Sequence, residues 1–328
     1  MLTSDDGFLR KGSKACLVHK LAVWETKKTI TPDIIIVDGN PLLYRVRWSS
    51  DIKNLARNFC SILPKEAVLH VIVFDKYIPN SIKSQERRRR GEFIDTSIIL
   101  EDWGNIPDRE TVMKNIAIKS QLIHKLSEEL EKLRIIIDRG GWQEEADCNI
   151  IRYLYLNTQQ QHRHIQIMAD DTDIFILLLY HVGQWTTTPP PLITMRKRNG
   201  RVIDINASIK RLGPSLCNHI LGIHAITGCD TTSFLPGLGK NRILSKLNNH
   251  HLHMDEFGNS QLEMERILTI GRKIFRILKL PQKNIDEHIK RSHLQTYLWK
   301  RAIDNEPPLN MLDKTHFGWT LTGDPIIE

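Results

Sequence analysis

Four runs of apolar, mostly β-branched residues divide the first half of the chain, and each run reaches an aspartate at its carboxyl end. They lie within residues 33–40, 67–75, 133–139 and 164–171. The apolar positions follow one another without the alternation of a half-exposed strand, which is typical of parallel strands covered on both faces. The pattern therefore predicts the central strands of a parallel sheet.

Apolar residues elsewhere recur at three- and four-residue steps, the spacing that places them on one face of a helix. Helices are predicted over residues 111–133, 144–156, 207–230 and 284–302, and a Pro/Thr-rich loop over 184–194. Strands that alternate with helices indicate the α/β class with a doubly wound, mostly parallel sheet.

The composition is that of an ordinary soluble chain with a basic balance. Lys and Arg number 46 against 38 Asp and Glu, a net charge of +8 that favours polyanionic partners where the charge clusters. The five cysteines show no C-x-x-C spacing and are expected as reduced thiols of the cytosol or nucleus. No signal peptide is expected, and the apolar stretch near 174–180 is too short to span a bilayer.

Apart from Asp138 at the end of the third run, aspartates follow the other three predicted strands. Asp38 follows the first and Asp75 the second, and Asp171 and Asp173 follow the fourth, directly before the apolar stretch near 174–180. The carboxyl ends of parallel strands lie on one edge of a sheet, where ligands bind. These carboxylates are therefore expected to meet. The apolar stretch near 174–180 is interpreted as a strand, and carboxylates crowded where a strand begins would repel each other and need a cation.

Four further acidic residues are expected near the same edge: Glu144, Glu145, Asp147 and Asp230. Hard carboxylate oxygens select Mg²⁺ or Mn²⁺. Two such ions about 3.5–4 Å apart can activate a water and stabilise the leaving oxygen of a phosphodiester. A single aspartate after a strand is more often a helix cap or a turn former, so the convergence of several is what indicates metal.

Five sequence blocks occur in a recognisable order: IIIVDGNPLLYR, VIVFDKYIPNSIKSQERRRRG, EEADCNIIRYL, MADDTDI and HAITGCDTTSFLPGLGKNRILSKL. They resemble the consecutive blocks of the flap endonuclease (XPG-type) nucleases of the PIN-like superfamily, over roughly residues 33–247. Within that family, HAITGCDTTS is most similar to an animal branch with the same motif. The resemblance implies a PIN-like fold and metal-dependent, structure-specific hydrolysis of phosphodiester bonds in branched or flapped DNA. An inactive nucleic-acid-binding scaffold on the same fold and an RNA-directed nuclease are the alternatives.

Carried over residue by residue, the resemblance implies a set of metal-binding acids: Asp38, Asp75, Glu145, Asp147, Asp171, Asp173 and Asp230. These would hold two Mg²⁺ or Mn²⁺ ions, directly or through water. Glu144 replaces one acid of the EEAD block if the alignment shifts by one residue.

The basic run 83–91 follows Asp75 at the distance seen in the family. The resemblance places Lys83 and one arginine, Arg89 or Arg90, beside the metals, where they stabilise charge building on the scissile phosphate. Arg87 and Arg88 are assigned to nucleic-acid binding. A charge run is otherwise a solvated face or a nuclear localisation signal.

Two glycines, Gly237 and Gly239, precede a helix that carries Lys240 and Arg242. Backbone N–H groups exposed at such a helix start suit a phosphate. The resemblance makes this a helix–two-turn–helix element that grips duplex backbone, often with a bound K⁺. Without the resemblance it is an ordinary turn.

The chain divides into four predicted segments: an N-terminal arm (1–30), a PIN-like nuclease core (31–232), a helical DNA-binding extension (233–304) and a C-terminal tail (305–328). The 111–133 helix either belongs to the arch that encloses single strands in the family or covers the sheet. A nuclear monomer is expected, acting on DNA rather than RNA, with no membrane contact and no sliding-clamp motif.

Overall fold

A mostly parallel sheet forms the centre of the protein. The computed structural model describes residues 14–26, 30–65, 67–77, 82–83, 87–88, 91–158, 162–185, 190–235, 237–250, 252–278, 285–307 and 313–320. Within them lie seven strands, β1 (Val23–Trp24), β2 (Ile34–Asp38), β3 (Leu69–Val73), β4 (Ile136–Asp138), β5 (His164–Met168), β6 (Leu192–Arg196) and β7 (Val202–Asp204). Their order is β1-β7-β6-β5-β2-β3-β4, parallel from β6 to β4 and antiparallel at β7 and β1.

Helices lie on both faces of this sheet. They are α1 (Ala15–Leu21), α2 (Asn40–Leu43), α3 (Ile52–Ser61), α4 (Arg109–Lys114), α5 (Ile116–Lys132), α6 (Ala146–Thr158), α7 (Thr172–Gly183), α8 (Ile205–Ile226), α9 (Lys240–His250), α10 (Met264–Ile277) and α11 (Asp286–Lys300). Alternate residues of β2 enter two cores: Ile34 and Ile36 pack with α6 and α7, whereas Ile35 and Val37 pack with α3 and α5. This confirms the predicted doubly wound α/β fold.

Two local predictions were wrong. The apolar stretch near 174–180 forms α7 rather than a strand, and it is buried on all sides, so no helical periodicity marks it in the sequence. The Asp171 side chain caps α7 by accepting the N–H of Asp173, at 2.9 Å. The predicted loop 184–194 contains the start of β6, which pairs with β5 inside the sheet.

The first described residues pack onto the core. Leu17 and Leu21 of α1 are buried among residues of the sheet and α7, and Trp24 of β1 pairs with Ile203 of β7. The loose arm predicted for residues 1–30 is therefore attached over residues 14–24, because α1 has an apolar face to bury. Residues 1–13 lie outside the described part.

The predicted 111–133 helix is two helices, α4 and α5, separated at Asn115. The Asn115 side chain caps α5 by accepting the N–H of Ala117, at 3.0 Å. Leu122 and Leu126 of α5 are buried in the core that also holds Ile35 and Ile72 of the sheet. Helix α5 therefore covers the sheet, the second of the two interpretations.

The C-terminal part adds three helices beside α8. Helix α11 packs against both α8 and α10, and its Leu294, Tyr297 and Trp299 are buried. Trp319, from the predicted tail, is buried against Arg291 of α11. None of the helices in the described ranges combines the length and the apolar character that crossing a membrane requires.

Helix α8 is capped at its start by Asp204, and the contribution of this cap to stability can be measured. The Asp204 side chain accepts the N–H of Ala207 at 2.8 Å, so Asp204→Ala should lower the free energy of unfolding by about 1 kcal/mol in urea titrations. Lys210→Ala, an exposed position on the same helix, should change it by less than about 0.5 kcal/mol. Equal losses in both variants would contradict the capping role.

Candidate metal centre

The acidic residues predicted from the strand ends meet at one edge of the sheet. Strand β2 lies between β3 and β5, and all three are parallel, so Asp38, Asp75 and Asp171 leave the sheet side by side. Asp38 is buried, and its pKa is raised well above the ordinary value by burial and then by the charges of Asp75 and Asp171. The predicted convergence of these three side chains is confirmed.

The segment before α6 brings two more acids to this edge. Asp75 accepts the N–H of Ala146 at 2.8 Å, so a residue that follows β3 caps α6. The N–H of Lys76 donates to the Glu144 carbonyl at 2.7 Å, and its ammonium donates to the carbonyls of Gly140 and Gly141. These bonds fix the start of α6 against the end of β3.

Of the consecutive glutamates, Glu145 enters the cluster. Its carboxylate lies 3.2 Å from the ammonium of Lys83, whereas Glu144 is paired with Arg87. Burial lowers the pKa of Lys83, but the charges of Glu145 and Asp147 and of more distant acids outweigh it, so that pKa is raised overall. The alignment that assigned Glu145 rather than Glu144 to the cluster agrees with this arrangement.

A second lysine occupies the other side of the cluster. The ammonium of Lys14, the residue before α1, lies 2.8 Å from Oδ2 of Asp173 and 2.7 Å from Oδ1 of Asp230. Its side chain is 19% exposed. Burial lowers the pKa of Lys14, yet Asp173, Asp230 and Asp171 raise it well above its ordinary value. Lys14 is therefore an ammonium cation among carboxylates.

His224 of α8 forms a hydrogen bond with Asp173. Its Nε2 lies 2.7 Å from Oδ1 of Asp173, and its ring stacks on Trp299 with centroids 5.3 Å apart. Burial and then the charge of Lys240 lower the pKa of His224 to about 4, so the ring is neutral at pH 7 and its Nε2–H donates to the carboxylate. Although burial raises the pKa of Asp173, Lys14 and His224 hold it well below the ordinary value.

The donor set fits a hard divalent cation. One ligand oxygen from each of Asp147, Asp171 and Asp173 lies within 4.8 Å of the other two. Burial raises the pKa of Asp147 and Asp171, and neighbouring carboxylates raise it further. Such crowding disfavours the charged forms in a metal-free protein. An ion bound by oxygens would relieve it, which is the condition that Mg²⁺ or Mn²⁺ meets.

The crowding predicts a pH dependence in the metal-free protein. Burial raises the pKa of Glu145 from 4.5 to about 7. Stability from this group is present below pH 4.5 and is lost as the pH rises to about 7, because the unfolded chain ionises first. With chelator present, the free energy of unfolding should fall by on the order of 3 kcal/mol across that window.

Urea titrations at several pH values measure this slope, with Glu145→Gln as the matched control. The variant cannot ionise at this position, so its slope should be clearly shallower. Asp38, Asp147 and Asp171, whose pKa values are also raised, act in the same direction as Glu145, whereas Asp173 acts in the opposite direction. Identical slopes in the two proteins would contradict the assignment.

The arginines of the basic run are only partly described. Arg87 is buried, paired with Glu144, and lies over the Tyr77 ring with its guanidinium carbon 4.9 Å from the centroid. Arg88 is exposed. Arg89 and Arg90 lie outside the described residues. The prediction that Arg87 contacts nucleic acid is corrected, since its guanidinium is occupied within the protein.

Lys240 requires a second correction. It is 5% exposed, and its ammonium donates to Oγ1 of Thr227 and to the Gly228 carbonyl, both at 2.8 Å. The Lys240 ammonium therefore binds oxygens at the carboxyl end of α8 and does not face a phosphate. Arg242 is exposed, and its guanidinium donates to the carbonyls of Gly237 and Leu278. A K⁺ site at Gly237 and Gly239 stays a prediction.

Two residues of the centre, Lys14 and His224, were not identified from the sequence. Lys14 lies in a segment with little pattern, and only the packing of α1 brings it to the acids. His224 did carry a signal, because it stands six residues before Asp230 in the same block. Asp170, by contrast, accepts the N–H of Arg198 at 2.9 Å and is not one of the three acids whose oxygens lie within 4.8 Å of one another.

No protein-family model matches the chain, and no curated protein matches its sequence significantly. Solved structures match in fold. The catalytic core of Rad2 in complex with DNA substrate is 16% identical, with a TM-score of 0.49, over 94% of this chain and 94% of that chain. The flap endonuclease of bacteriophage T5, in a complex with DNA and metal ions, is 14% identical, with a TM-score of 0.47, over 83% of this chain and 91% of that chain. Likeness at this level establishes neither the family nor the activity of this chain.

Proposed function

We propose that the protein is a divalent-metal-dependent nuclease that hydrolyses phosphodiester bonds in branched or flapped DNA. One observation carries the proposal: acids from the ends of three parallel strands and from two helices meet in one pocket, with Lys83 beside them. A structural role for so many buried carboxylates is disfavoured, because their crowding costs stability that an ion restores. The order of the five sequence blocks supports the same activity.

The ions would be held by the acids of the cluster: Asp38, Asp75, Glu145, Asp147, Asp171, Asp173 and Asp230. When bound, two Mg²⁺ or Mn²⁺ ions would supply an activated water and stabilise the leaving oxygen. The chain prepares this chemistry by fixing the acids. Asp75 is held by the start of α6, Asp171 by the start of α7, and Asp173 by His224.

Lys83 would stabilise the phosphate as negative charge builds on it. Its side chain is 19% exposed, and its ammonium lies 3.2 Å from Glu145 of the cluster. An ammonium aimed at developing charge contributes most in a pocket that excludes water. Arg87 positions the segment, because its bond to Glu144 ties the residues after β3 to the start of α6.

The nucleic acid would approach across the exposed edge of the sheet. A pocket beside the acids is lined by Asp38, Arg45 and Arg198, among others, and both arginines are exposed. Arginines there suit phosphodiester oxygens and would give binding that weakens as salt increases. DNA rather than RNA, and a nuclear location, follow from the resemblance alone and are part of the proposal.

The test is cleavage of labelled flapped DNA by the purified chain, followed on denaturing gels. Strand cleavage with Mg²⁺ or Mn²⁺ that stops with chelator, and returns when the ion is restored, is the expected result. Matched flapped RNA and unbranched duplex DNA measure the preference for branched DNA. Absence of cleavage with every divalent ion, on substrates that the protein demonstrably binds, would refute the nuclease.

A non-catalytic nucleic-acid scaffold is the second candidate, and the lysines favour it. Lys14 and Lys83 already neutralise part of the acidic cluster without any metal. A scaffold would bind flapped DNA equally well with chelator and with Mg²⁺, and no single acid would matter for binding. Binding by fluorescence anisotropy, measured beside the cleavage assay, separates the two candidates.

A further inference from the structure

Lys14 joins the acidic cluster from a part of the chain that the proposed chemistry does not use. Its ammonium lies between Asp173 and Asp230, at 2.8 and 2.7 Å. It is the residue directly before α1, and the buried Leu17 and Leu21 anchor that helix to the core. The lysine is therefore held at the acids by packing, not only by its own charge.

Both carboxylate oxygens of Asp173 are already engaged. Oδ2 receives the ammonium of Lys14, and Oδ1 receives the imidazole of His224 at 2.7 Å. Asp230 shares the same ammonium through its Oδ1. Asp173 is one of the three acids whose oxygens lie within 4.8 Å of each other, but it is the one whose charge the protein itself balances.

Asp38 and Asp147 differ from Asp173 in the charges that surround them. Asp38 and Asp147 are surrounded by other carboxylates, and their nearest balancing lysine, Lys83, contacts Glu145. Among the described residues, neither Asp38 nor Asp147 forms an ion pair with a lysine or an arginine, whereas Asp173 and Asp230 share Lys14. Two divalent ions and a lysine in so small a volume would repel each other strongly.

We propose that Lys14 is a built-in cation of the Asp173–Asp230 part of the cluster, so that the protein binds one divalent ion tightly rather than two. The inference rests on the proposed metal dependence but revises its two-ion form. Of the three acids whose oxygens lie within 4.8 Å of one another, Asp147 and Asp171 would hold the single ion, with Asp38 and Asp75 beside them. Asp173 would be balanced by Lys14, and Glu145 by Lys83. Lys14 would balance the remaining carboxylates and keep a second ion out.

Isothermal titration calorimetry with Mn²⁺, without nucleic acid, tests this directly. The unsubstituted chain should bind one Mn²⁺ tightly, and Lys14→Met should bind two, because removing the ammonium frees Asp173 and Asp230. Lys14→Arg, which keeps the charge, should still bind one. Lys20→Met is the matched control: Lys20 is exposed on the same helix, and its replacement should leave the count at one.

Two tight ions in the unsubstituted chain would overturn the proposal, and so would an unchanged count in a folded Lys14→Met protein. If Lys14→Met does not fold, anomalous scattering from Mn²⁺-soaked crystals of the unsubstituted protein counts the ions instead: one supports the proposal and two refute it. The count is independent of catalysis. A protein that binds one ion but cuts no nucleic acid refutes the nuclease alone, whereas one that cuts with two bound ions refutes the role of Lys14 alone.

Discussion

The Asp171→Asn protein should bind flapped DNA but cut it at least about 100-fold more slowly than the unsubstituted protein. Replacing groups that only orient metal ligands typically costs 10–100-fold in affinity or activity, so the loss of a ligand charge is expected to cost more. The charge of Asp171 raises the pKa of Asp38 and of Asp147, so the three carboxylates lie close together. Removing its charge weakens the site where the carboxylates converge.

Asparagine is the right replacement because Asp171 has a second role. Its carboxylate accepts the N–H of Asp173 and caps α7, the most deeply buried helix of the core. Asparagine caps a helix about as well as aspartate and removes a crowded charge, so the variant should keep its fold, with a thermal midpoint no lower than that of the unsubstituted protein. A loss of activity can then be assigned to the missing charge rather than to unfolding.

Asp170→Asn is the matched control, one residue away in the chain. The Asp170 carboxylate accepts the N–H of Arg198, a bond that an asparagine oxygen can keep. Asp170 lines the same pocket as Asp38 but is not one of the three acids whose oxygens lie within 4.8 Å of one another. This variant should cut within a few-fold of the unsubstituted rate. Equal, severe losses in both variants would show a general disturbance of the turn. Full activity in Asp171→Asn would remove this aspartate from the metal site.

The edge of the sheet was predictable because the acids and the strands are encoded in the same short runs. In β2 and β3 the consecutive β-branched residues identify buried parallel strands, and Asp38 and Asp75 follow directly. Parallel neighbours must release these residues on one side, whatever the details of packing. Local sequence and one topological rule are enough to bring the first acids together.

Elements buried on all sides were harder to predict. Helix α7 is apolar on every face, so its sequence has neither the helical period nor the alternation of a strand. Strand β6 follows a proline-rich stretch, and only its pairing with β5 and β7 makes it part of the sheet. In both cases tertiary contacts, not local propensity, decide the conformation.

The roles of Lys14 and Lys240 also could not be predicted from local sequence. Lys14 and Asp173 are 159 residues apart in the chain and meet only because α1 docks on the core. Lys240 follows two glycines, as a phosphate-binding residue would, yet the carbonyl groups at the end of α8 capture its ammonium. A positive charge in a sequence does not reveal whether its partner is a ligand or the protein's own backbone.

Two lysines contact the acids, one from the segment before α1 and one from the segment after β3. Lys83 contacts Glu145 on one side, and Lys14 contacts Asp173 and Asp230 on the other. The two lysines differ in the number and the length of their ion pairs. Lys14 contacts two carboxylates of the cluster, at 2.8 and 2.7 Å, whereas Lys83 contacts one, Glu145, in a longer ion pair of 3.2 Å. Lys83 is thus better placed to exchange its partner for a phosphate.

Lys83→Met should lower the maximal cleavage rate about 100- to 1,000-fold at saturating metal, while the affinity for flapped DNA changes little. The loss of one group aimed at developing charge typically costs that much. Methionine keeps most of the side-chain length and its packing without the charge. Single-turnover cleavage at saturating protein measures the rate, and anisotropy measures binding. Lys65→Met, at an exposed position before the amino end of β3, the end opposite to the acids, is the control and should cut at the unsubstituted rate.

A purely structural role for Lys83 leads to a different result. If the ammonium served only to balance Glu145, removing it would tighten Mn²⁺ binding, since the ion would meet more uncompensated negative charge. The cleavage rate would then return to normal once metal was saturating. Calorimetry with Mn²⁺ on Lys83→Met, beside the rate measured over a wide range of metal concentration, separates the two roles. A rate that stays low at every metal concentration identifies Lys83 as the residue that contacts the reacting phosphate.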